Sequence, residues 1–380
     1  MPLSISSFEH QIPNAPWRRI IGTALLICFA CVALMEIRLA QLGYLSTILD
    51  SSERWGKERD RASQLGKRAL ILVGGSRIQL GIDLDILRKE TGLEPVQLAL
   101  DGSSFVPILK GLADDPTIRG TVLVDYYPES VAGALSGEYG AADIYERAFV
   151  KRSFGHAFFS LDRLEKSLTE MFHENLRSFA DGATPLMSLQ WRIIPNEKAS
   201  QYLITLPDRS RLADYSLVAM PEFYYKRVAR NLGQEQTINL AAADIEQVLK
   251  RQIKLQQPGN NTAYVQGARY LRQLIASINL HGGKVLFVAM PTSGMIHEID
   301  EKRYPRANFL DIFEKEAGVS VLSSVDDPAL RSFACPDGSH LDLRDRQKFT
   351  AALVHSLGIG LQKAPFESTP YIMTGPSTTR

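Results

Sequence analysis

Five consecutive apolar residues, Ala69-Leu70-Ile71-Leu72-Val73, run without a polar interruption into Gly74-Gly75-Ser76-Arg77. This is the signature of a strand that ends in a tight glycine turn and presents a hydroxyl. An α/β rhythm follows it. Leu84 to Glu90 reads as a helical piece with Asp83 as its cap. A second strand is expected at about Pro95 to Leu100, ending in Asp101-Gly102-Ser103-Ser104, and a helix through Val106 to Leu112. A third strand, Thr121 to Tyr126, ends at Pro128. The pattern returns late in the chain. Residues 238–255 and 262–280 read as helices, the latter with Tyr270, Leu271, Leu274 and Ile275 as its apolar stripe. Strands at 285–290 and about 320–322, and a last helix over 345–357, complete it.

Between these halves, over about 129–260, the alternation is lost. Aromatic and charged residues mix in Phe154-Gly155-His156-Ala157-Phe158-Phe159, in Pro207-Asp208-Arg209-Ser210-Arg211 and in Phe223-Tyr224-Tyr225. This stretch is expected to be a largely helical insertion, serving as a lid or as a surface for a partner or polymer. The 380 residues exceed one average domain, and one α/β domain with such an insertion accommodates them.

The N-terminus bears on the compartment. Ile20 to Met35 is unbroken apolar sequence preceded by Trp17-Arg18-Arg19, and Ile37, Leu39 and Ala40 extend it. Glu36 and Arg38 can snorkel to an interface. Residues 20–43 are therefore expected to anchor the chain in a membrane, with residues 1–19 cytoplasmic beside the arginines and the remainder outside. A cleaved signal peptide and a buried core helix are the competing readings. The polar segment 44–66 reads as a short helical stalk, and 361–380, rich in Pro, Ser and Thr, as a disordered tail.

Composition excludes more than it suggests. A net charge of +1 gives no reason to propose nucleic acid as a partner. Three cysteines form no disulfide framework and no Cys/His cluster has zinc spacing, so no metal or cofactor is implied. Cys335 is expected to be a small buried residue, and Cys28 and Cys31 to face lipid or pack. Gly74-Gly75-Ser76-Arg77-Ile78 lacks the closing glycine of a Gly-x-Ser-x-Gly elbow. It also lacks the register of a dinucleotide loop, and no phosphate-loop lysine is present.

The chemistry is carried by Ser76 together with Asp337-Gly338-Ser339-His340. Asp337 and His340 are three apart, so in a helical turn they share a face, and the carboxylate can hold the imidazole ready to take a serine proton. Ser76 lies at the carboxyl end of a strand, where open parallel sheets bind ligands. A serine there also serves as a helix N-cap, and a loop histidine can simply be solvated. The three together make a Ser/His/Asp hydrolytic centre the leading expectation. Gly102, at the end of the second strand, is a candidate second oxyanion donor beside the N–H of Ser76. Asp101, Ser103 and Ser104 are expected to be turn and cap residues.

These blocks resemble the SGNH/GDSL hydrolase superfamily. More narrowly, they resemble the membrane-anchored, extracytoplasmic SGNH-like proteins of bacterial surface-polysaccharide O-acylation. The resemblance covers about residues 67–128 and 284–358. It matches Ser76 to the nucleophile, Gly102 to an oxyanion glycine, and Asp337 and His340 to the Asp-x-x-His block. Gly75 stands where Gly-Asp-Ser has its aspartate, and strand three ends in Asp125-Tyr126-Tyr127-Pro128 where an oxyanion asparagine block belongs. The resemblance implies a flavodoxin-like three-layer α/β/α domain over 67–360 and an O-acetyltransferase or esterase acting on an exported polysaccharide at the outer face of the inner membrane. It also implies a polysaccharide or other acyl acceptor as substrate and a membrane acyl-donor protein as a possible partner. A catalytically inactive scaffold or sugar-binding component is the alternative, and a soluble lipase-type esterase a third reading.

Overall fold

The computed structural model describes residues 16–137, 139–153 and 161–359. The tail expected to be disordered, the first fifteen residues and the aromatic stretch with His156 lie outside the described residues. The chain divides into two compact units. One runs to Ile48 and takes in Leu164–Ser200, and the other takes Leu49–Arg163 and continues from Gln201.

The second unit is built on the expected sheet. Its strands are β1 (Ala69–Val73), β2 (Glu94–Gln97) and β3 (Thr121–Asp125), then β6 (Lys284–Ala289) and β7 (Val321–Ser323), all parallel in the order β2-β1-β3-β6-β7. Every residue of β1 is buried. Ala69, Ile71 and Val73 enter a core with Trp55, Leu109, Leu271 and Phe313, whereas Leu70 and Leu72 enter a second core with Ile78, Leu87, Phe349 and Leu353. Helices therefore cover both faces, which is why the run is apolar without alternation. The chain leaves β1 for β2 on one side and returns to place β3 on the other. The loops that follow β1 and β3 diverge there, and such a reversal opens a crevice at the carboxyl ends of the strands.

The segment expected to be a stalk is a helix, Ser52–Leu65, but it does not lead away from the domain. Trp55, Arg59 and Ala62 fall on one helical face and are buried. Trp55 is fully buried, meets Tyr145 and Phe149 edge-on, and donates its indole N–H to the Leu98 carbonyl at 2.9 Å. Arg59 pairs with Asp115 at 3.1 Å. Of the charged residues that suggested a solvated stalk, Glu53 and Lys57 are exposed, whereas Arg54 and Arg59 are buried.

The insertion is largely helical, as expected, with helices Ala141–Ser153, Leu161–Asn175, Glu222–Asn231 and Ile245–Lys254. The helix expected from residue 238 begins only at Ile245, because Asn239 closes a side-chain turn onto the N–H of Ala241. An antiparallel hairpin, β4 (Leu203–Thr205) with β5 (Arg211–Ala213), was not expected. Nor was the division of the insertion, whose residues 164–200 belong to the first unit.

The first unit contains the helix Trp17–Gln41, long and apolar enough to cross a membrane, with none of its most apolar window buried. That disfavours the core-helix reading. Beyond Met35 its surroundings change. Leu39, Leu42 and Tyr44 pack with Ile193 and Ala199. The Glu36 carboxylate accepts the N–H groups of Arg177 and Ser178 at 2.7 and 2.9 Å.

Candidate active site

Ser76 is the first residue of a short helix, Ser76–Gly81, that springs directly from the turn after β1. Gly74, with φ +154°, is required in that turn, since a Cβ there would sit 2.6 Å from the Cβ of Asp125 on the neighbouring strand. The Ser76 hydroxyl lies 2.7 Å from His340 Nε2, and His340 Nδ1 lies 2.8 Å from Asp337 Oδ2. The three residues that spacing suggested are thus joined in one hydrogen-bonded chain across 264 positions of sequence.

The local geometry of the Asp-x-x-His block is not the helical turn expected. Asp337 Oδ1 accepts the backbone N–H groups of Ser339 and His340 at 2.9 and 2.8 Å, closing a side-chain turn, while Oδ2 stays available for the imidazole. Gly338 takes φ +84° at the centre of this turn, and a Cβ there would meet the Ile296 side chain at 2.5 Å. Three-residue spacing still brings carboxylate and imidazole together, but through an aspartate that folds back on its own loop.

Electrostatics set the protonation states. Asp337 is 1 % exposed. Burial alone would raise its pKa, yet the hydrogen bond and charge of His340, the Arg227 cation and the Ser339 N–H together hold it well below the ordinary carboxylate value. His340 is lowered from its ordinary value of 6.5, chiefly by burial and further by Arg227 and Arg77, against the opposing pull of Asp337. The imidazole is therefore neutral at neutral pH. With its Nδ1–H donated to Asp337, Nε2 is free to accept the Ser76 proton. Burial and the two arginines disfavour the imidazolium, so any His340-dependent rate is expected to hold through neutral pH. It should fall only as the pH drops below the ordinary histidine value. A profile of kcat/KM from about pH 8 to about pH 5 checks this, and a rate that rises on acidification would exclude neutral His340 as the base.

The insertion contributes residues to this site that sequence reasoning did not assign. Burial and the neighbouring Asp337 carboxylate hold the Tyr215 phenol well above its ordinary value. The Tyr215 N–H donates to Asp342 at 3.0 Å, and the Leu343 N–H to the Ala213 carbonyl at 2.8 Å, so the segment around β5 braces the histidine loop. From the helix Glu222–Asn231, Arg227 reaches Asp337 Oδ2 at 3.3 Å and His340 Nε2 at 3.2 Å. Its charge disfavours the imidazolium. Arg227→Gln should thus let the imidazole protonate more readily and move the acid limb of the kcat/KM profile to higher pH, whereas a merely structural arginine would lower the rate without moving the limb.

Ser76, Gly102 and His340 line one cavity of about 350 Å³, together with Arg77, Arg227 and Asn231. Gly102, the expected oxyanion donor, lines the same cavity as Ser76. Ser104 accepts the N–H of Val106 at 3.3 Å in a turn just before the helix, whose N-cap position is Phe105. Asp101 does more than turn the chain. It is held by Arg211 at 2.6 Å, which against burial lowers its carboxyl from the ordinary value. Asp125, also in the cavity wall, is buried, and burial raises its carboxyl to about 7 against the pull of Arg77. Arg77 stacks over Tyr127 and pairs with Asp300 at 3.3 Å. Asp125 closes an apolar strand at its carboxyl end, which was the one sequence signal for it. Arg227 and Asn231, four apart on a helix, carried none.

Cys335 is buried as expected. Its Sγ donates to the Pro291 carbonyl at 3.2 Å, and burial pushes the thiol up to about 12, so it is no nucleophile. Among the described residues no group of three or more His, Cys, Asp or Glu could hold a metal ion. Comparison with known proteins finds no matching family model, no matching curated protein and no matching solved structure.

Proposed function

We propose that the chain is a serine-dependent acyl-ester enzyme of SGNH type, held at the outer face of the inner membrane by its N-terminal helix. Its reaction would be transfer of an acyl group, such as acetyl, to a hydroxyl of an exported or cell-surface polysaccharide, or removal of that group. The observation that carries this reading is the continuous chain Ser76 Oγ to His340 Nε2 to Asp337 Oδ2, opening on a solvent-connected cavity. The resemblance of the Ser76, Gly102 and Asp-x-x-His blocks supports the family, and the flavodoxin-like order of the sheet is compatible with it.

In this mechanism Ser76 Oγ attacks the acyl carbonyl while His340 Nε2 takes its proton. Asp337 keeps the resulting imidazolium oriented through Nδ1–H. The N–H groups of Ser76 and Gly102 receive the charge on the carbonyl oxygen. Collapse expels the donor alcohol, which leaves with the proton from His340, and the acyl group remains on Ser76. A sugar hydroxyl or water then gives its proton to His340 and attacks the acyl carbon, and Ser76 leaves with that proton returned from His340. Transfer and hydrolysis use the same residues and differ only in the acceptor.

One observation favours a second reading, a catalytically inactive scaffold or sugar-binding component of a polysaccharide assembly complex. Arg227 Nη2 sits 3.2 Å from the same imidazole nitrogen that Ser76 uses and competes with it for the catalytic hydrogen bond. Turnover of a short-chain nitrophenyl ester by the chain and by Ser76→Ala separates the two readings.

A further inference from the structure

The first unit exposes apolar side chains of a kind a solvated domain does not usually cluster. On the helix Leu161–Asn175, Leu168, Met171 and Phe172 stand at successive helical spacings and are 42 %, 47 % and 38 % exposed. On the next helical segment Leu186, Trp191 and Ile194 are 72 %, 59 % and 71 % exposed. The opposite side of that segment is the one that packs within the unit. Ser188 donates to the Ser178 carbonyl at 2.7 Å, Arg192 lies over the Tyr44 ring, and Ile193 joins Leu39 and Tyr44.

The height of this segment is set by the helix it packs on. The uncharged stretch Ile20–Met35 spans about 24 Å at 1.5 Å per residue, most of the roughly 30 Å of a bilayer's hydrocarbon core, with Arg18 and Arg19 placed to snorkel at its other end. Glu36 is the first charge after that stretch, and it is the residue that receives the N–H groups of Arg177 and Ser178. Arg38 bonds Asn196 two residues further on. The segment 176–199 is thereby fastened to the helix where the hydrocarbon ends and the headgroups begin.

We infer that residues 164–194 form an interfacial foot, lying in the headgroup region of the leaflet beside Glu36 and burying Leu168, Met171, Phe172, Leu186, Trp191 and Ile194 in lipid. The occupant is the bilayer surface. Continuity with the membrane-crossing helix supports this, as does the tryptophan at the depth where indole rings are favoured. The foot would fix the tilt and rotation of the anchor, which a lone helix leaves undetermined.

The test uses the full chain and its Trp191→Phe variant in nanodiscs, with lipids brominated close to the headgroup as fluorescence quenchers. The chain has three tryptophans. Trp55 is buried in the sheet unit, and Trp17 lies at the start of the crossing helix, so quenching that persists in Trp191→Phe reports insertion of that helix. The difference between the two proteins is the Trp191 signal. It should be blue-shifted and lose most of its intensity on brominated lipid. A Trp191 signal unaffected by bromine, with Trp17 still quenched, overturns the foot while leaving the anchor. If that unquenched signal is blue-shifted, a second copy or another protein covers the face instead. Absence of quenching in both proteins overturns anchor and foot together.

Discussion

Ser76→Ala should reduce turnover of a short-chain nitrophenyl ester by at least about 10³-fold, to the rate of the cavity without its nucleophile. The substitution removes one oxygen at the mouth of a short helix and leaves the backbone N–H groups in place, so the thermal midpoint should be unchanged. His340→Ala should cost as much, and the two together no more than either alone, because serine and histidine act as one unit. The result follows from a 2.7 Å contact between a hydroxyl and the imidazole nitrogen that Asp337 leaves free. Equal rates for the parent and Ser76→Ala, with both proteins folded, would end the enzymatic reading. They would favour the scaffold, in which Arg227 occupies the imidazole nitrogen.

The largest effect on stability is expected at Trp55. Trp55→Ala removes a fully buried indole from the core on one face of the sheet and leaves the Leu98 carbonyl without its donor. Truncations of this size cost about 3–5 kcal/mol, a large share of the roughly 5–15 kcal/mol that holds a typical domain together. A fall of about 10 °C in the melting temperature follows for a unit of this size, measured by circular dichroism in mild detergent. A stalk helix predicts no change, so an unaltered melting temperature would return Ser52–Leu65 to that role.

The two substitutions probe opposite ends of what could be read from the chain. Ser76 was legible because three local signals coincide there: an apolar run with no polar interruption, a glycine pair and a hydroxyl. Trp55 was not, because its neighbours Glu53, Arg54, Lys57 and Glu58 make the segment look solvated. A helix needs only one apolar face to join a core, and in a 14-residue helix a tryptophan, an alanine and the stem of an arginine suffice. The Asp337–His340 pair was legible through its spacing, although an aspartate-closed turn produces the contact and a helix does not.

Sequence alone determined the parallel sheet, the positions of its strands to within about three residues, the apolar N-terminal helix and the serine, histidine and aspartate of the site. These follow from local rules: strands buried on both faces must be apolar throughout, and a catalytic turn needs residues that can make it. Only the tertiary structure decided that the supposed stalk belongs to the core, and that the insertion is divided between two units. It alone brought Tyr215 and Arg227 to Asp337. Those outcomes depend on contacts between residues 43 to 141 positions apart. No periodicity or spacing in the chain encodes such contacts, since each side is compatible with many partners until the fold brings one of them within reach.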